Sequence, residues 1–175
     1  IPKRVLIDSA HHYLRKQNRS LGISEAEKVK VAVKSLGLDD LAPFDARKRV
    51  IEYLLEDAGG NLAPLASMTL TEFAEETASE SPAPGGGSIS AYVGALGVSF
   101  GTMVANLSAH KRGWDDRWEA FSEVAERGMA LQVRLLQLVD EDTAAFDAIM
   151  AAFGMPKGNE AQKAERSAAI QAVTL

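Results

Sequence analysis

The sequence predicts a mainly all-α protein, and three observations carry that reading. No strand-like alternation of apolar and polar residues appears after residue 66. No Asp, Glu, Lys or Arg occurs between Glu80 and Lys111, although 25% of the chain is charged. Residues 115–153 then carry an apolar seam at helical spacing: Trp118, Phe121, Ala125, Gly128, Leu131, Leu135, Leu138, Phe146, Ile149 and Phe153.

Pro2 suits the first turn of a helix, and Val5, Leu6, Ala10, Tyr13 and Leu14 form its apolar face to about Gln17. Residues 18–22 break it. Ser24, with Glu27 three residues on, reads as a capping box for a second helix over 25–36, ended by Gly37. His11 and His12 are adjacent, about 100° apart on a helix, and so poorly placed to share a metal. They read as surface or partly buried side chains. From 38 to 67 periodicity fades among Pro43, Gly59, Gly60 and Pro64; only 49–55 looks ordered, as a short strand or docking segment. A short helix over 72–79 follows a cap at Thr69 or Thr71. His110-Lys111-Arg112-Gly113 makes a basic turn, the long helix of the seam follows, and Gly154, Pro156 and Gly158 stop it before helical spacing resumes at Glu160.

Ser81-Pro82-Ala83-Pro84-Gly85-Gly86-Gly87-Ser88 opens the uncharged run. The prolines stiffen this loop, the glycines release it, and Ser88 is the expected N-cap of a helix over 89–109. In that helix Ser90, Gly94, Gly97 and Gly101 form a stripe almost without side chains, while Val93, Leu96, Phe100, Met103, Val104 and Leu107 fill other faces. Each glycine weakens a helix by about 1 kcal/mol relative to Ala, so the stripe implies a close neighbour, either another helix or a flat ligand. The expectation is the buried centre of a helical bundle. The run is long enough to cross a membrane, but Ser88, Ser90, Ser99, Thr102, Asn106 and Ser108 dilute it and the next segments are amphipathic, so no membrane span is expected. The glycine loop reads as a flexible linker or, since it opens onto a helix N-terminus, as a seat for a carboxylate, phosphate or carbonyl oxygen.

Asp142 fills the one gap in the seam. It lies about 20° around the helix from Leu135 and Ile149, and about 40° from Leu138 and Phe146. Asp140 falls nearly opposite and reads as solvated. Burying an unpaired carboxylate costs several kcal/mol, so Asp142 needs a partner, a proton or a function. The structural alternatives are an ion pair with Lys111 or Arg112, or a cap for the glycine loop. The functional one is an acid beside a slot that a ring system could enter.

Composition narrows the field. A formal net charge of −5 and a pI near 5.3 argue against nucleic acid as the main partner. Without cysteine there is neither a disulfide framework nor a thiolate metal site, and no metal-spaced cluster, nucleophile elbow or Walker-type loop appears. What remains is metal-independent chemistry by a carboxylate and a helix terminus. Acidic residues dominate after residue 60, and a domain boundary is expected near 56–66. The chain begins at Ile1 without a signal-like segment and stops at Leu175 in an unfinished helical pattern, so a piece of a longer polypeptide is expected.

The motifs also match a known family. Residues 81–88, Gly94-Ala95-Leu96-Gly97, Met103-Val104-Ala105-Asn106, Leu138-Val139-Asp140-Glu141-Asp142, Ala145-Phe146, Met155-Pro156-Lys157 and Ala168-Ala169-Ile170-Gln171 resemble the first half of a formiminotetrahydrofolate cyclodeaminase domain. Ile1-Pro2, Leu6 to Ala10, Tyr13-Leu14, Leu36-Gly37-Leu38, Pro43-Phe44 and 49–53 resemble the end of a glutamate formiminotransferase and its linker. The resemblance, to the bifunctional formiminotransferase-cyclodeaminases, covers essentially the whole chain. It implies the helical tail of an α/β transferase domain over 1–55, an irregular linker over 56–66, and the N-terminal part of a helical-bundle cyclodeaminase domain over 67–175. It further implies a cytoplasmic enzyme, dimeric or in a larger homo-oligomer, that closes 5-formiminotetrahydrofolate to 5,10-methenyltetrahydrofolate and releases ammonia in histidine breakdown. No prosthetic group is implied; tetrahydrofolate, as its polyglutamate, is the substrate carrier.

By the same resemblance Asp142 is the catalytic acid, protonating the departing amine and, as a carboxylate, offsetting the cationic product. Gly85, Gly86, Gly87 and Ser88 would hold a polar edge of the pterin or the glutamate tail, with Asn106 as a further substrate contact and Lys111 at the tail carboxylates. The transferase's catalytic histidine would lie upstream of Ile1 and is not assigned to His11 or His12. Two rival functions are a methenyltetrahydrofolate cyclohydrolase and a non-catalytic assembly segment.

Overall fold

A computed structural model describes residues 1–58 and 65–174, all helix, turn or coil, with no strand among the described residues. The helices are α1 (Lys3–Lys16), α2 (Glu25–Ser35), α3 (Ala46–Arg49), α4 (Ile51–Ala58), α5 (Leu70–Thr77), α6 (Gly86–Ala109), α7 (Trp118–Gly154) and α8 (Glu160–Thr174), with a 3-10 turn at Leu65–Ser67. They sort into two compact units. One holds Ile1–Leu62 and Ala95–Val133; the other holds Ala63–Gly94 and Arg134–Leu175. The expected boundary at 56–66 falls in part on 59–64, outside the described residues, while 56–58 complete α4.

The first unit is organised by the α1–α2 pair. Leu6 and Ala10 pack with Val29, Ala32 and Val50 in a core of buried residues, flanked by Ile7, Val33 and Tyr53. Ser24 Oγ accepts from Glu27 N–H at 3.3 Å, one half of the expected capping box, and Gly37 closes α2 with a φ of +65°. Residues 49–55 form no strand: Arg49 ends α3, the fully buried Val50 is a single extended residue, and 51–55 lie in α4, with polar bonds docking the segment on the N-terminus. The Ile1 ammonium donates to Arg49 O at 2.7 Å, Ile51 N–H to Ile1 O at 3.0 Å, and Lys3 N–H to Glu52 Oε2 at 2.7 Å.

The turn after α1 sits against the C-terminal part of α6 and the N-terminal part of α7. Leu21 N–H donates to Ser122 Oγ at 2.9 Å and Asn106 Nδ2 to Gly22 O at 2.8 Å. A Cβ on Gly22 would collide with the Ala125 backbone, and one on Gly128 with Thr102 Oγ1, so these two glycines allow the close approach. Gln132 Nε2 donates to Ser99 Oγ at 2.5 Å.

In the second unit Thr69 and Glu72 form a complete capping box for α5, and Phe73 packs on Tyr92 of α6 at 5.0 Å between ring centroids. Asn159 Oδ1 accepts from Gln162 N–H at the start of α8, and Arg166 Nε donates to Phe153 O at 3.2 Å.

Two sequence expectations change. The seam of α7 is not its most buried stripe. Of the seam itself Ala125 is buried but Leu131, Phe146 and Phe153 are exposed, while Ser122, Val139 and Ala152, outside it, are buried. Small residues admit the neighbouring backbones, so the covered face rotates toward them and leaves the large side chains at its edge. Nor is α6 a buried centre within this chain. Val93, Leu96, Phe100, Met103, Val104 and Leu107 are all exposed, Phe100 at 67%, while Ala95, Thr102, Ala105 and Ala109 face inward. Gly94 meets the Leu135 side chain, as the stripe predicts, but Gly97 and Gly101 face open space. By length and composition α6 could cross a bilayer. Its inward residues nevertheless pack on protein, and Asn106 and Ser88 bond to it.

Candidate active site

The site is made where α6 begins and α7 passes its second half. Gly85 O accepts from Ile89 N–H at 3.0 Å, so α6 starts at Gly86, and Ser88 stands in its first turn rather than at the cap. The orphan N–H groups of that turn need an acceptor, and it comes from the other helix. Asp142 Oδ2 accepts from Ser88 N–H at 2.8 Å and lies 2.9 Å from Ser88 Oγ. Negative charge is favoured here by the aligned peptide dipoles of α6. The capping role that the sequence left open for Asp142 is therefore present.

This docking explains one glycine of the loop. A Cβ on Gly87 would collide with Asp142 Oδ1, and one on Gly85 would touch Oδ2 at 3.8 Å, whereas Gly86 has open space. Gly87 is required because the carboxylate occupies the volume where its side chain would be.

Asp142 is partly buried and shared by two clefts. One of about 250 Å³ is lined by Pro82, Ala83, the three glycines, Asp142, Thr143 and Phe146. The other, about 560 Å³, is lined by Gly87, Ser90, Ala91, Leu135, Leu138, Glu141 and Asp142. Its size suits a small organic ligand. Asp142 Oδ1 carries no hydrogen bond among the described residues and lies against Gly87.

Of the residues singled out by sequence, Gly85, Gly86, Gly87, Ser88 and Asp142 are brought together. Ser88 is fully buried, with its N–H and hydroxyl engaged by α7, so it serves the carboxylate rather than a ligand. Asn106 and Lys111 belong to the first unit. There Asn106 holds Gly22 and keeps its Oδ1 buried without a partner, while Lys111 Nζ sits over the Trp114 ring at 4.4 Å. Sequence reasoning missed Val139, whose carbonyl lies 2.9 Å from Ser88 Oγ, and Thr143, whose hydroxyl is 3.4 Å from it. No sequence signal marked them: Val139 acts through its backbone carbonyl, and Thr143, one residue after Asp142, points about 100° away from it on a helix. Among the described residues no cluster of His, Cys, Asp and Glu could hold a metal ion.

A carboxylate docked on a glycine-rich helix start lines two clefts on an all-helical frame. Comparison with known proteins identifies the frame. A family model described as formiminotransferase-cyclodeaminase matches residues 69–175, and one described as the formiminotransferase domain matches 1–56. The chain belongs to the formiminotransferase-cyclodeaminase family. It is 34% identical to the formimidoyltransferase-cyclodeaminase of Rattus norvegicus over 171 residues, 98% of this chain and 31% of the relative. Against the Dictyostelium discoideum protein of the same name identity is 33% over the whole chain and 32% of the relative. A methenyltetrahydrofolate cyclohydrolase of Methylorubrum extorquens is 37% identical over 103 residues, 59% of this chain and 50% of that protein. The chain thus spans about a third of the length of the bifunctional relatives.

Proposed function

We propose that the second unit carries the acid–base centre of a formiminotetrahydrofolate cyclodeaminase, converting 5-formiminotetrahydrofolate to 5,10-methenyltetrahydrofolate with loss of ammonia in histidine breakdown. The observation that supports it is Asp142, held on the first turn of α6 with one carboxylate oxygen fixed and the other left in the clefts. Asp142 takes up and returns the proton of the reaction, and its negative charge offsets the cationic product. The open positions of the glycine loop, Gly86 above all, take a polar edge of the pterin. The enzyme is read as cytoplasmic and fused to a glutamate formiminotransferase, of which 1–55 would be the tail and 56–66 the linker.

The same reading makes the protein a homo-oligomer. The exposed apolar face of α6, from Val93 to Leu107, is the surface that a second copy would cover.

Asp142→Asn in the full-length protein tests the catalytic reading. It keeps shape and polarity but removes the titrating group. The cyclisation rate should fall at least about 10²-fold, the usual scale for a general acid or base, with circular dichroism and melting temperature retained. Asp140, partly covered and without a hydrogen bond or ion pair among the described residues, is the control: Asp140→Asn should leave the rate within about threefold, an effect below 1 kcal/mol. An Asp142→Asn variant as fast as wild type would show the acid to be a structural cap only. The Methylorubrum relative supports a second reading, hydrolysis of the methenyl group. Ammonia release from formiminofolate, set against water addition to methenylfolate, separates the two.

A further inference from the structure

We propose that the Ser88 hydroxyl is a two-position proton partner for Asp142, donating to the carboxylate when Asp142 is ionised and accepting from the carboxyl when it is protonated. The inference rests on the acid–base reading of Asp142 and adds a positioning residue to it. Ser88 Oγ lies 2.9 Å from Asp142 Oδ2 and 2.9 Å from Val139 O. A hydroxyl has one proton to donate, and a backbone carbonyl can only accept. With Asp142 ionised, Oδ2 takes both the Ser88 N–H and its O–H. With Asp142 protonated, Oδ2–H donates to Ser88 Oγ, whose own proton turns to the Val139 carbonyl, and both short contacts become hydrogen bonds. Ser88 and Val139 are fully buried, so no water is at hand to take over either contact. One hydroxyl rotation thus accommodates both protonation states without moving a heavy atom.

The reaction requires a group with two such states. Starting from the protonated formimino group, a folate nitrogen attacks the formimino carbon. As that C–N bond forms, the nitrogen loses its proton to Asp142. The proton is returned to the departing amine as the old C–N bond breaks. Ammonia and the cationic methenyl product leave, and the carboxylate is regenerated with atoms and charge in balance.

The charged surroundings are sparse. The loop and the first turns of α6 contribute no charged group, and α7 contributes Glu141, which shares a cleft with Asp142 and is tied to Arg134, with Asp140 two residues away.

The test is Ser88→Ala in the full-length enzyme, which keeps the backbone N–H donor and deletes only the hydroxyl. The expected result is a kcat lower by about tenfold, the scale of one hydrogen bond to a charged group, with KM little changed and the Asp142 limb of the pH–rate profile displaced. In an Asp142→Asn background the same change should have no further effect on kcat, because the hydroxyl acts through the acid. Wild-type kcat and pH profile in Ser88→Ala, alongside a disabled Asp142→Asn, would overturn the proposal while the catalytic reading stands. An active Asp142→Asn would remove both. If Ser88→Ala does not fold, infrared difference spectra of the wild type against Asp142→Asn decide. The protonated Asp142 carboxyl should absorb as a hydrogen-bond donor, and a free-carboxyl band would overturn the proposal.

Discussion

The α1–α2 corner and the outer face of α6 are both strongly apolar, yet only one is covered. Leu6, Ala10 and Leu14 are fully buried, whereas Phe100 and Leu107 are two-thirds exposed. The sequences differ in kind. Helices α1 and α2 alternate apolar with charged residues at a 3.6-residue period, which names both an inside and an outside. Helix α6 has no charge at all and apolar residues on several faces. Such a helix asks for cover on more than one side, but its sequence does not say whether the cover comes from its own chain. Hydrophobicity measures the demand for a covering surface, and periodicity says where within one chain the demand is met.

The largest expected effect separates these regions directly. Leu6→Ala should cost about 2–5 kcal/mol at any protein concentration, since it opens a cavity in the closed α1–α2 core. Phe100→Ala removes a larger side chain yet should shift the stability of the dilute protein by less than about 0.5 kcal/mol, as an exposed substitution does. If a second copy covers α6, the same variant also weakens association, and its stability falls with dilution. Urea melts at two concentrations, with light scattering, check both arms. Equal, concentration-independent losses would show that α6 is covered within the chain.

The next effect separates the stripe glycines of α6 from a glycine of its first turn. Gly97 and Gly101 have open space where a Cβ would stand, and Gly87 does not. Gly97→Ala should stabilise by up to about 1 kcal/mol through helix propensity alone. Gly87→Ala should instead push Asp142 off Ser88 and lower turnover to a level near that of Asp142→Asn. Calorimetry on both variants, with the cyclisation assay, tests this. A destabilising Gly97→Ala would place a neighbour against the stripe in the assembled protein.

The legibility of the molecule follows the same division. The all-helical class, the bounds of α1 and α2 to within a residue or two and the special position of Asp142 could be read from spacing, because each depends on local periodicity and capping. A cap of the glycine loop by Asp142 was one of the alternatives that its seam position left open, and the structure supplies its physical cause. The roles of Val139 and Thr143 were not legible, because they depend on how two helices 50 residues apart register against each other. Ser88 was misplaced as a cap because Ser is a good cap in isolation. Here Gly85 precedes the first turn, and the acceptor comes from α7. For residues 49–55 the sequence left a short strand or a docking segment open, and the bonds to Ile1 and Lys3 show the docking segment, with Ile51 onward helical.

The smallest expected effect concerns His11, a titrating group of the closed region with no counterpart on the apolar face of α6. Its Nε2 is buried without a hydrogen-bond partner. Its proton affinity is lowered from the ordinary value of 6.5, first by burial and then by Lys28 and Arg15, with Glu126 and Asp8 opposing. The folded state therefore prefers neutral His11, and the unfolded chain binds a proton more readily. Stability from this group is complete above pH 6.5 and is lost as pH falls through 6.5 toward the lowered value. The carboxylates held low by hydrogen bonds, such as Glu52 and Glu72, act at or below their ordinary 4.5 and so in a separate window. His11→Gln should flatten the fall in melting temperature between pH 7 and 5 and leave the melt at pH 8 nearly unchanged. An unaltered slope would show that the imidazole finds water or a partner in solution, and that the corner around α1 is less tightly closed than the buried Leu6, Ala10 and Leu14 indicate.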